Sequence, residues 1–78
     1  MIDLKLPKIT DDKDMLRTLE SIAFESSLHI SRDVKASYDE KVFDWINSFT
    51  GDLAFRKQRY ITHYLVKKYE YLNGKSII

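Results

Sequence analysis

The chain is 78 residues long and carries 13 basic and 12 acidic side chains, for a net charge of +1. So short a chain supports one hydrophobic core and buries only about 60% of its unfolded surface, which excludes a second domain and leaves stability marginal. The sequence holds no cysteine, so disulfides and thiolate metal sites are excluded as stabilising devices. Oligomerisation or an unusually regular helical core remains; a homodimer is expected, in a reducing cytoplasm. Residues 1–10 have no long apolar run of the signal-peptide kind, and no stretch approaches the ~20 apolar residues of a membrane span. An apolar share of 44% argues for a packed core rather than disorder, and two glycines with one proline argue for helices rather than sheet and turns.

The first ten residues alternate weakly at Ile2, Leu4 and Leu6, contain Pro7, and read as an extended arm packed on the core or on a partner. Thr10, Asp11 and Asp12 are N-cap candidates, and Asp14 adds acid where a helix N-terminus favours it. Met15, Leu16, Leu19, Ile22, Ala23 and Ser26 then recur at three- and four-residue spacing, the apolar stripe of a first helix over about 12–28. Phe24 and Leu28 lie off that stripe and either touch a neighbouring helix or form an apolar patch for a partner.

Ser31 is an N-cap candidate for a second helix over 32–50, whose stripe is Val34, Tyr38, Val42, Trp45, Ile46 and Phe49. Asp33, Lys35, Glu40 and Asp44 lie opposite. Gly51 follows the last periodic residue, where a helix end often needs positive φ. Asp52 would cap a third helix over 53–72, ending at Asn73–Gly74. On it Ala54, Ile61, Leu65 and Leu72 share one side and predict the core contact. Leu53, Tyr60 and Tyr64 form one shoulder, with Val66 and Tyr69 on the other. Three helices of similar length with short connections predict an all-α, antiparallel three-helix domain over residues 1–78.

No enzyme is expected. Nucleophilic catalysis needs a nucleophile, a base and an orienting group together, and His29 and His63 stand in no such motif. Both glycines stand alone, so there is no phosphate-binding loop. The histidines and carboxylates lack metal-ligand spacing, and no metal or cofactor is expected. Adjacent acids such as Asp11–Asp12 and Asp39–Glu40 do not share a helix face; they fit helix N-terminal charge or a solvated side better than acid–base chemistry.

The charge distribution carries more. Residues 1–31 are net −2 and residues 32–50 net −1, whereas residues 51–78 hold six basic and two acidic groups, net +4. Arg56, Arg59, His63 and Lys67 follow one another at helical spacing and make a stripe opposite Ile61 and Leu65, with Tyr60, Tyr64 and Tyr71 on its shoulder. Arginine forks and lysines grip phosphates, and tyrosines offer stacking. This predicts a small regulatory or accessory protein that binds DNA or RNA backbone through Arg56, Arg59, Tyr60, His63 and Lys67. Glu70 continues the stripe and favours a plain solvated face. The alternative is an adaptor or inhibitor that docks on another protein through Phe24, Leu28, Phe55 and Tyr71.

Residues 28–69 resemble the ribbon-helix-helix DNA-binding family. Leu28-His29-Ile30-Ser31-Arg32-Asp33-Val34 corresponds to its strand, Tyr38–Thr50 to its first helix, and Arg56–Tyr69 to its second, with a polar start, a central isoleucine and a late aromatic. The resemblance implies an intertwined dimer with His29, Ser31 and Asp33 facing bases and the start of the third helix at a phosphate. Val34 belongs equally to the helical stripe with Tyr38 and Val42. The three-helix domain is therefore the primary expectation, and the ribbon-helix-helix dimer the alternative.

Overall fold

A computed structural model describes residue 4 and residues 6–74, and the remainder of the arm and of the C-terminal end lies outside the described residues. Among the described residues there are three α-helices, α1 (Asp12–Ser27), α2 (Arg32–Asn47) and α3 (Lys57–Leu72), with a 3₁₀ helix (Gly51–Arg56) leading into α3. The three-helix expectation holds.

α1 starts where Asp11 accepts a hydrogen bond from the Asp14 amide at 3.2 Å, satisfying one of the amides a helix start leaves open. Its stripe falls where the periodicity placed it: Met15, Leu19, Ile22, Ala23 and Ser26 are buried. Ser31 caps α2 through the Val34 amide at 3.4 Å. Leu28–Ser31 is a connection and Arg32–Val34 form the first turn of α2, so the strand implied by the resemblance is absent from this segment.

α2 ends three residues earlier than its stripe suggested. Ser48 Oγ donates to the Trp45 carbonyl at 2.6 Å, a local bond that competes with helix continuation. The Asn47 carbonyl is taken instead by Lys57 Nζ at 2.9 Å, which places a cation at the negative end of α2. Gly51 does have positive φ, +70°, but it opens the 3₁₀ helix rather than closing α2. Asp52 caps nothing: Thr50 precedes the 3₁₀ helix and Arg56 precedes α3, neither with a side-chain cap. α3 closes as expected, Asn73 at its end and Gly74 at φ +72°.

Cross-helix contacts fix the directions. Asp12 meets Tyr60, Glu20 meets His63 and Phe24 meets Tyr71, so α1 and α3 run parallel. Phe49 meets Tyr60 and Asp39 meets Tyr64, so α2 runs antiparallel to α3. The core comprises the α1 stripe, Tyr38, Val42 and Ile46 of α2, Leu53, and Tyr60 and Tyr64 of α3; Leu4, Leu6 and Ile9 of the arm pack against it. The molecule is flattened, 17 Å in its thin direction against 35 and 31 Å in the others, and α3 leans mainly on α1.

Candidate interaction surface

α3 is rotated from the expected orientation. Tyr60 and Tyr64 are fully buried, whereas Leu65 and Leu72 of the expected core side remain exposed. The cause lies at the tips of the tyrosines. Burying a phenol is favourable only where its hydroxyl finds a partner. Tyr60 Oη donates to Asp12 Oδ1 at 2.8 Å, and Tyr64 Oη donates to Asp39 Oδ1 at 2.8 Å. Asp39 also receives Lys68 Nζ at 2.6 Å through its second oxygen. Each carboxylate stands at the core's edge, so the rings fill the interior while the hydroxyls reach its rim.

Burial, reinforced by the hydrogen bond and charge of Asp39, pushes the Tyr64 phenol far above its ordinary range. Burial also raises the Tyr60 phenol, aided by Asp12 and opposed by Arg56. Tyr38 is raised by burial and by Glu25, and its hydroxyl lies 3.2 Å from His29 Nε2.

The expected basic stripe lies beside α1 rather than alone on an outer face. Arg59 pairs with Asp12 at 3.6 Å, His63 Nε2 lies 2.9 Å from Glu20, and Lys67 pairs with Glu70 at 3.7 Å. Arg56 is exposed at the end of the 3₁₀ helix. Of the five residues expected to meet nucleic acid, Tyr60 is in the core and offers no stacking face. Asp12 and Glu20 of α1 stand against Arg59 and His63 across the α1–α3 seam, whereas Lys67 is paired within α3 by Glu70 and Arg56 stays exposed.

The residues expected to meet a protein partner divide as well. Phe24 and Tyr71 stack edge to face, ring centres 5.3 Å apart, so each is the other's neighbour. Leu28 and Phe55 are exposed, Phe55 to 90%, and the linker residue Ile30, not anticipated, to 96%. The largest unanticipated feature is the outward side of α3. Leu65 (41% exposed), Val66 (49%), Tyr69 (66%) and Leu72 (45%) follow at helical spacing and form one apolar stripe. The basic row of Arg59, His63 and Lys67 borders it on the α1 side, and a shallow depression lies between Arg59, His63 and Val66. Sequence did contain a signal: Tyr60, Tyr64 and Tyr71 recur at spacings of four and seven, a second stripe on the same helix.

A separate cavity of about 560 Å³ opens at the other end of α2, between the arm, Trp45, Phe49 and the start of the 3₁₀ helix. No group of three or more histidine, aspartate or glutamate side chains among the described residues is arranged to hold a metal ion. No helix among them is long and apolar enough to cross a membrane. Comparison of the chain with protein-family models, curated proteins and solved structures gives no match.

Proposed function

We propose that this protein is a binding module that docks on another protein through the outward face of α3. One observation carries the reading: Leu65, Val66, Tyr69 and Leu72 form a continuous exposed stripe on the helix that also supplies two core tyrosines. A helix that hides polar-tipped aromatics and shows water its aliphatic residues is arranged for a second contact. The partner that fits is an amphipathic helix whose apolar side meets this stripe and whose acidic flank meets Arg59 and Lys67. Aromatic and leucine positions near the centre, Tyr69 and Leu65, are its anchors.

The nucleic-acid reading has less support. Arg59, His63 and Lys67 have carboxylate neighbours within the chain, and a polyanion would have to displace them. The experiment is affinity capture from the source cell with the wild-type chain and with the double variant Val66→Glu, Tyr69→Glu. Cross-linking then maps the contact, and far-ultraviolet circular dichroism checks the fold. A protein captured by the wild type, lost by the variant and cross-linked to α3 supports the reading. Capture unaffected by the variant, or nuclease-sensitive retention of nucleic acid, overturns it. Sedimentation of the pure chain separates self-association on this face from docking of a different protein.

A further inference from the structure

The cavity beside Trp45 is independent of the α3 face and has the make-up of a small-molecule site. We infer that it binds a planar, uncharged aromatic heterocycle. A domain of 78 residues has few large apolar side chains to spend on its core, yet its single tryptophan and Phe49 stay half-buried. Three tyrosines take interior positions instead. Trp45 and Phe49 meet edge to face with ring centres 5.2 Å apart, and Phe49 is held from behind by Tyr60 at 6.3 Å. This leaves an aromatic wall fixed to the core on one side and open on the other. Leu6, Pro7, Ile9 and Leu53 complete the apolar lining.

The volume, about 560 Å³, falls within the range of small-molecule pockets. Around the mouth stand the hydroxyls of Thr10, Ser48 and Thr50, the Lys8 ammonium and the Asp52 carboxylate. Ser48 already donates to the Trp45 carbonyl, so its oxygen is left as an acceptor. Thr50 makes no cap to the 3₁₀ helix and keeps its hydroxyl for the mouth. One cation and one anion cancel at the rim, so net charge selects neither anions nor cations. Ring stacking provides the affinity, and donors and acceptors at the mouth suit the heteroatoms of a heterocycle.

The test is a titration of the isotope-labelled chain with quinoline, followed by amide NMR. The site predicts saturable shifts at the Trp45 indole N–H and the amides of Ile9, Thr50, Gly51 and Asp52, with α3 beyond Tyr64 unmoved. Trp45→Leu removes half of the stacking wall and weakens binding about threefold to tenfold, from the usual worth of an aromatic pair. Thr50→Trp, at an exposed position that leaves the core intact, fills the mouth and abolishes binding. Shifts that grow without saturating, that map to Leu65–Leu72, or that survive Thr50→Trp overturn the inference, as does undiminished binding by a folded Trp45→Leu protein.

Discussion

The two sides of α3 are built from the same kinds of residue in opposite places. Inward stand Tyr60 and Tyr64, fully buried; outward stand Leu65, Val66, Tyr69 and Leu72 in water. Ranking by hydrophobicity would exchange them. What decides is the surroundings of the tyrosine hydroxyls: Asp12 on α1 and Asp39 on α2 are placed to accept them, and a leucine in either position would leave those carboxylates with fewer donors. Polar satisfaction at the core's edge therefore orients this helix as firmly as apolar area does.

The most severe way to break the inner side is Tyr64→Ala. It removes a fully buried ring and costs about 3–5 kcal/mol, as other large aromatics do. Set against a small domain's total of roughly 5 kcal/mol or more, that abolishes or nearly abolishes folding, read by urea denaturation. Asp39→Ala is milder. It strands the Tyr64 hydroxyl and the Lys68 ammonium at a largely buried edge and lowers stability by about 1–3 kcal/mol. Tyr64→Phe keeps the ring and leaves Asp39 to Lys68, so its cost is about 1 kcal/mol. A larger loss for Phe than for the Asp39 variant would contradict the role given to the carboxylate.

Alkaline pH probes the same side without mutation. The phenols of Tyr38, Tyr60 and Tyr64 are raised above their ordinary value of 10.0 in the folded chain. Above that value the unfolded chain loses protons that the folded chain keeps. The contribution is thus fully present below the unfolded pKa and is lost as pH rises through the folded values. The urea midpoint is expected to hold up to about pH 10 and to fall as pH rises above it, less steeply in Tyr64→Phe.

The outer side predicts the smallest effects. Val66→Glu and Tyr69→Glu each change stability by no more than about 0.5 kcal/mol, since neither empties the core. Arg59→Ala, whose pair with Asp12 is largely open to solvent, costs between about 0 and 1 kcal/mol by denaturation in low salt.

Much of the fold was legible because its signals are local. The three- and four-residue spacing of Met15, Leu19, Ile22 and Ala23, the caps at Asp11 and Ser31, and the end at Asn73–Gly74 depend only on neighbours in the chain. The rotation of α3 was not, because Asp12 lies 48 residues from Tyr60 and Asp39 lies 25 from Tyr64. Periodicity finds two competing stripes on that helix and cannot see which one meets acceptors. The early end of α2 was hidden in part in the same way: the competing Ser48 hydroxyl is local, but the Asn47 carbonyl is taken by Lys57, ten residues on. As for the surface, the cations of α3 were evident, but the α1 partners of Arg59 and His63 and the exposure of the apolar stripe beside them follow only from the packing.

The orientation of α3 can be measured directly because the chain has no cysteine of its own. Single cysteines placed at Val66, Tyr69 and Leu72 are reacted with a thiol reagent under native conditions, each rate divided by its rate in denaturant. The ring of Tyr64, whose removal would unfold the chain, is followed in the wild-type protein by nitration with tetranitromethane, its rate divided in the same way. Near-unfolded reactivity at the three outer positions, with strong protection at position 64, is the expected result. Protection at positions 66 and 72 in a protein that reacts freely at position 64 would reverse the two sides of α3 and contradict the account.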